Sequence, residues 1–515
     1  MGCYRALTML KHMEKFQSVS SVSGGTWGTS IYMFGATFKG SPVSNTELLG
    51  TPLNPPDCTL ARLQEAVPAI ASGIVEGDSD KILAELGVEF LGREWEVWPH
   101  VMSRWLYRYF DDLKSFDNYT AVDAAQIAKI KEQNPQLEKK PFLSMRADRR
   151  TQAYTMCCTM LSPEGRLATE SNAVSLQMAA NRTGSPFYPD NAQVKYQKAP
   201  ICPCDKCCYK CCTITRTVGG GFVESFAFGG EAPNAKGQMG GQGVKVGAPA
   251  KPFALPYMAG MSSWAPGGVM DSSAVLGELG NLRQKYWPVT SPHLPKAQKA
   301  LMYEFGDGGL IDNSGVLCQL QRGAPKFVWI ATAWSAFSTT YDWANATVEN
   351  FDPIAAGVVD QLYVLFGYNT TSEGYFYAND QVFEKDLLLP MCKELRALAL
   401  LGKPAVLKKT MRVLPNEWWG IVGNCEVEYI IIYLQACQDF QKALPAETQA
   451  EIAKGSDGMF NNFPIYSTTG NNSGDALGLT TPQVNLLAAQ AQYSVVVNAA
   501  LFNELLGSYP DQTDV

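Results

Sequence analysis

The stretch Phe16-Gln-Ser-Val-Ser-Ser-Val-Ser-Gly-Gly-Thr-Trp-Gly-Thr-Ser30 decides how this chain is read. Its first half, rich in valine and small hydroxyl residues, predicts a strand over 16–22. Two glycines follow Ser23, and the run from Gly24 toward Phe38 reads as a helix. A serine between a strand and a helix is how a nucleophilic hydroxyl is presented at a sharp turn. The bend demands small neighbours, which Ser21, Gly24 and Gly25 supply. The first N–H groups of such a helix face charge developing at the serine. The usual elbow is G-x-S-x-G, and Ser21 stands at its first glycine. An ordinary turn of serine, glycine and threonine is the competing reading.

A serine hydroxyl attacks only when a base takes its proton. The chain has three histidines, His12, His100 and His293, none within a recognisable motif. His12 falls in a helix-like stretch, His100 follows a proline in an aromatic run, and His293 lies in Ser-Pro-His-Leu-Pro. All three read as surface or packing residues. A carboxylate fits better. Met302-Tyr-Glu-Phe-Gly-Asp-Gly-Gly-Leu-Ile-Asp-Asn-Ser-Gly-Val316 runs from an apolar strand into a loop led by Asp307. The glycines permit close approach of the Asp307 carboxylate to other backbone, and Asp-Gly-Gly is equally a turn signal.

Taken together, these motifs and Gly2-Cys-Tyr-Arg-Ala6 resemble, in that chain order, the patatin-like and cytosolic phospholipase A2-like lipid acyl hydrolases. Val22-Ser-Gly-Gly-Thr-Trp27 and Asp307-Gly-Gly-Leu-Ile-Asp-Asn-Ser-Gly315 carry the likeness. The resemblance implies a Ser–Asp dyad without histidine, with Ser23 as nucleophile and Asp307 as general base. It implies hydrolysis of carboxylic esters of phospholipids or lysophospholipids through an acyl-enzyme. Arg5 matches the family arginine that contacts the substrate phosphate, and Asp312 and Asn313 brace the loop. Gly2 and Cys3 fall where the family forms its oxyanion hole. No metal or other cofactor is implied, and membrane contact is peripheral.

The front end departs from the family pattern. Family members carry a strand and a Ser-Gly-Gly-Gly-x-Arg-Ala turn, whereas this chain starts Met1-Gly2-Cys3-Tyr4-Arg5-Ala6. The strand and at least one glycine are missing, and Cys3 replaces a glycine. A chain beginning at an internal methionine and a naturally shortened, inactive homologue both fit. The alternatives to a hydrolase are therefore a catalytically inactive lipid- or partner-binding module, or an acyltransferase.

The 515 residues are enough for a large core, and 46% hydrophobic with 18% charged residues is globular. A net charge of −7 gives no electrostatic case for nucleic acid. No apolar run reaches the ~18 residues of a membrane span, which favours a cytoplasmic or peripheral membrane location. Tyr429-Ile-Ile-Ile-Tyr-Leu-Gln-Ala-Cys437 reads as a buried helix. Helix-like stretches are 59–73, 92–110, 121–132, 384–400, 427–444 and 481–506; strand-like ones are 16–22, 153–160, 212–218, 301–306, 326–332 and 404–414. This interleaving predicts an α/β fold with a mainly parallel central sheet flanked by helices, in three layers with loop insertions. The Ser and Asp loops are then expected at the sheet's carboxyl edge. A single catalytic domain spans 1–515, with a core of roughly 1–340, an α/β extension of roughly 341–515 and a Cys/Gly-rich insertion at 200–250.

Trp95, Trp98, Trp105, Tyr107, Tyr109 and Phe110 make either a core face or an acyl-chain wall. Lys408, Lys409 and Arg412 read as a solvated strand edge. Cys202-Pro-Cys-Asp-Lys-Cys-Cys-Tyr-Lys-Cys-Cys212 holds abutting Cys-x-x-Cys pairs. Free thiols or local disulfides, a thiolate metal site and S-acylation all remain open for it. Gly219-Gly-Gly221 reads as a turn or bulge.

Overall fold

The computed structural model describes residues 1–72, 97–186, 193–198, 213–233, 246–267, 282–289, 299–368, 374–461, 463–465 and 479–507. The cysteine run 202–212, Trp95 and His293 lie outside them. The elements that position the site are, in chain order, α1 (Gly2–Met9), β1 (Ser18–Val22), α2 (Gly24–Phe34), β2 (Ala153–Pro163), β3 (Val174–Met178), β4 (Thr183–Ser185), β5 (Gly221–Val223), α3 (Leu255–Ser262), β6 (Leu282–Tyr286), β7 (Leu301–Asp307), α4 (Val316–Gln321), β8 (Lys326–Thr332), α5 (Leu388–Leu400), β9 (Ala405–Arg412), β10 (Glu426–Leu434), α6 (Thr481–Val496) and α7 (Ala499–Leu506).

The expected mainly parallel sheet is not what forms. The larger sheet runs β5-β4-β3-β2-β7-β6, and every neighbouring pair on that path is antiparallel. The one parallel pairing in it is β1 with β2. The cause is connection length. Only ten residues separate Pro163 from Val174, too few for the crossover that parallel neighbours need. A second sheet, β8-β10-β9, is mixed: β8 runs parallel to β10 and β9 antiparallel.

Strand β2 is the spine of the larger sheet. Its sequence, Ala-Tyr-Thr-Met-Cys-Cys-Thr-Met-Leu-Ser-Pro, carries no charge, and all but its first residue are buried. Strand β3 takes one edge of it at Met156–Met160. The other edge is shared. Strand β1 covers Ala153–Cys157, ending with Val22 opposite Cys157, and β7 covers Cys158–Pro163, ending with Asp307 opposite Cys158. Because β1 is parallel to β2 and β7 antiparallel, their carboxyl ends meet head to head along one strand. The Ser and Asp loops do converge, through this junction rather than at the edge of a parallel sheet.

The stretch 427–444 is not a helix. Residues 426–434 form β10, the middle strand of the second sheet, and the helix is confined to Gln438–Lys442. Ile430, Ile431 and Ile432 are fully buried, as a β-branched run is when both faces and both edges are covered. The expected strands 326–332 and 404–414 form β8 and β9, and 481–506 forms α6 and α7. Lys408 and Lys409 on edge strand β9 pair with Glu504 and Glu394. Among the described residues, no helix is long and apolar enough to cross a membrane.

Candidate active site

Ser23 sits between β1 and α2 with φ 52° and ψ −130°. Positive φ costs a non-glycine residue about 1–3 kcal/mol and persists only where surrounding structure imposes it. Several bonds impose it here. The Ser23 N–H donates to the Ser262 carbonyl at 3.0 Å. The Ser262 hydroxyl reaches the Cys157 carbonyl at 2.7 Å and the Thr26 hydroxyl at 2.8 Å. Ser21, standing at the elbow's usual first glycine, is buried and bonds Thr26 and Tyr154, each at 2.9 Å. Its hydroxyl serves the frame of the turn.

The Ser23 hydroxyl donates to Asp307 Oδ2 at 2.7 Å. Asp307 Oδ1 accepts the Gly309 N–H at 2.7 Å, so the two carboxylate oxygens have separate partners. The Asp307 backbone is pinned by its N–H to the Trp264 carbonyl (2.9 Å) and by the Thr159 hydroxyl on its carbonyl (2.7 Å). Gly308 is required sterically, since a Cβ there would stand 2.4 Å from the Cys157 carbonyl oxygen. Asp307 is 3% exposed, and burial pushes its carboxyl up to about 7, against the opposing hydrogen bonds from Ser23 and Gly309. A base with that value is half ionised near neutral pH, where proton transfer in both directions is easiest.

Gly24 and Gly25 open the other side. Both are exposed, and a Cβ on either would meet nothing within 4 Å. They border a cavity of about 2380 Å³ that also touches Ser23 and Asp307. Ligand pockets are usually about 300–1,000 Å³, so this one has room for long flexible chains. Trp27, Trp98 and Trp264 form an aromatic wall, with ring centroids 6.2 and 5.9 Å apart in sequence along it. Residues of both β1 and β8 line it as well. Trp98, Tyr107 and Phe110 all belong to the buried core, and of the three Trp98 also borders the cavity.

Gly2 and Cys3 lie in the first turn of α1 and border the same cavity. The opening N–H groups of a helix have no intrahelical acceptor, so these amides are donors of the kind an oxyanion needs. Gly2 packs against α6, where a Cβ would come within 2.3 Å of the Ala488 carbonyl. Burial pushes the Cys3 thiol up to about 11.

Arg5 is elsewhere. It is 3% exposed and does not border the cavity among the described residues. Its guanidinium donates to Gln492 Oε1 at 2.7 Å, the Thr51 carbonyl at 2.8 Å and the Leu49 carbonyl at 3.3 Å. That is a brace between α1, α6 and the loop at 49–51, set back from the cavity. Of cations that do border the cavity, Lys15 and Lys326 reach the carbonyls of Gly507 and Leu505, at the end of β1 away from Ser23.

The two described histidines, His12 and His100, make no contact with the dyad. His12 is fully buried against Asn503, with Nε2 2.9 Å from Oδ1, and His100 stacks on Phe116. Asp312 does brace the loop, its Oδ1 accepting from the Ser314 hydroxyl and from the Ser314 and Gly315 N–H groups. The Asp-Gly-Gly motif marked Gly309 in the sequence but not its N–H bond to Asp307 Oδ1, and Tyr377 and Asp360 beyond it were missed. No local signal marks Tyr377 or Asp360. No family model matches the chain, and no curated protein matches it.

Proposed function

We propose that this protein hydrolyses carboxylic esters of lipids through a Ser23–Asp307 dyad. The observation that carries the reading is the 2.7 Å hydrogen bond from a conformationally strained serine to a buried carboxylate at the mouth of a large, aromatic-walled cavity. As Oγ attacks the ester carbonyl, Asp307 Oδ2 takes its proton. The Gly24 amide, with the first amides of α1, stabilises the tetrahedral oxyanion; each such donor is worth about 2.7–4 kcal/mol. Asp307 then protonates the departing alcohol, and water repeats the sequence on the acyl-enzyme to release the acid.

The size of the cavity favours a long-chain acyl group over a small ester, and the resemblance to lipid acyl hydrolases favours phospholipids or lysophospholipids. With Arg5 committed to packing, headgroup phosphate recognition is not assigned to it. The test is labelling by a fluorophosphonate, followed by release of fatty acid from lysophospholipid micelles. Labelling of the wild type at Ser23, absent in Ser23→Ala, is expected. Full labelling of that variant refutes the nucleophile assignment. A wild type that never labels leaves the non-catalytic lipid- or partner-binding reading in its place.

A further inference from the structure

The Gly309 N–H that occupies Asp307 Oδ1 has its own support. The Tyr377 hydroxyl lies 2.6 Å from the Gly309 carbonyl and 2.9 Å from Asp360 Oδ2. Asp360 Oδ1 accepts the Gln361 N–H at 2.7 Å and Asn313 Nδ2 at 3.2 Å. Tyr377 and Asp360 border the same cavity as Ser23. A Cβ at position 309 would stand 2.8 Å from Asn313 Oδ1 and 3.2 Å from Asp307 Oδ1, so a side chain there would displace the Asn313 amide beside the Asp307 carboxylate.

Proton counting decides the direction of this chain. The Gly309 carbonyl can only accept, and Tyr377 has a single O–H, which the shorter contact assigns to Gly309. Asp360 Oδ2, which also lies 3.4 Å from Asn313 Nδ2, then faces a Tyr377 lone pair and bonds Tyr377 only by carrying a proton itself. A neutral Asp360 satisfies every group: its O–H donates to Tyr377, Tyr377 to Gly309, and Gly309 N–H to Asp307. Burial raises the Asp360 carboxyl in the same sense.

We propose that Tyr377 is a positioning residue for the base, and that Asp360 serves it as a neutral hydrogen-bond donor. Tyr377 holds residue 309 so that its N–H occupies Asp307 Oδ1, which leaves Oδ2 directed at Ser23. The proposal rests on the hydrolase reading for its catalytic meaning, while the geometry it describes does not.

The test is the pH profile of fluorophosphonate labelling in the full chain. Tyr377→Phe is expected to slow labelling about 10-fold, a fraction of what a general base supplies. It should also move the midpoint upward by about 0.5–1 pH unit, because a loosened Gly309 N–H no longer favours the ionised Asp307. Cys158 and Tyr375, the other titratable groups facing Asp307, are intact in this variant. Asp360→Ala should reproduce the defect, and Asp360→Asn, whose amide N–H can donate to Tyr377, should restore most of the rate. A wild-type rate and midpoint in Tyr377→Phe overturns the proposal, as does failure of Asp360→Asn to improve on Asp360→Ala. A purely structural role would lower the melting temperature without moving the midpoint. Should the wild type not label, urea stability against pH reads the Asp307 titration directly. A midpoint shifted by Tyr377→Phe there keeps the proposal and sinks only the hydrolase reading; an unshifted one sinks the proposal.

Discussion

Replacing Asp307 by asparagine should stabilise the protein at alkaline pH while silencing it. Burial raises the Asp307 carboxyl from 3.8 to about 7. The folded chain therefore keeps a proton that the unfolded chain gives up near pH 4. Between those values the folded state binds more protons, so its stability falls as pH rises. Three units at 1.36 kcal/mol each make the cost of ionising Asp307 in place about 4 kcal/mol above pH 8. Asparagine never incurs it. Its Oδ1 can accept the Gly309 N–H and its Nδ2 can donate to Ser23, as the protonated acid does. Urea unfolding of both proteins from pH 4.5 to 8.5 isolates the effect, because all other groups titrate alike in the two chains. The difference should be small at the acid end and grow to about 4 kcal/mol in favour of Asp307→Asn at the alkaline end. Fluorophosphonate labelling of the wild type should rise through pH 7 and be lost in the variant. A stability difference that stays flat with pH would refute the reasoning, since Asp307 would then titrate alike in both states.

Ser23→Gly should melt higher than Ser23→Ala, because glycine accepts a φ of 52°. Relief of about 1–3 kcal/mol of strain exceeds the roughly 0.5–1 kcal/mol entropic cost of glycine. Gly308→Ala should cost about 1–3 kcal/mol by overpacking and sharply reduce labelling. Gly25→Ala, with open space around its new methyl, should leave the melting temperature unchanged; calorimetry separates the two. Arg5→Ala should destabilise the chain by about 3 kcal/mol, since buried acceptors on 49, 51 and 492 lose a charged donor. Its KM for lysophospholipid should not change; a large rise in KM with unchanged stability would return Arg5 to the substrate.

The two residues of the dyad were legible because each is framed by glycines whose backbone role is local. Gly24 and Gly25 follow a strand, and Gly308 and Gly309 follow another, so short motifs capture them. Strand direction was not legible in the same way. Alternating helix-like and strand-like segments suggested parallel crossovers, yet the ten residues between Pro163 and Val174 already forbid one there. The misread β10 shows a similar limit. Hydrophobicity marked 429–437 as buried, and only the isoleucine triplet distinguished a covered strand from a covered helix. Arg5 was placed by its neighbours in sequence, but the partners that claim it, Leu49, Thr51 and Gln492, are far along the chain. Tyr377 lies 68 residues from Gly309 and has no motif of its own.

The head-to-head junction on β2 also sets when the molecule can become competent. Ser23 and Asp307 are 284 residues apart, and neither β1 nor β7 has its edge to lie on until 153–163 is in place. Loop closure over such distances is slow, because its entropy is lost before any contact is gained. During synthesis, β1 emerges long before its partner, and the hydroxyl at its end has no carboxylate beside it until β7 follows. The Ser23–Asp307 hydrogen bond is thus withheld from a half-made chain. Its appearance reports that the most distant contacts of the larger sheet have closed.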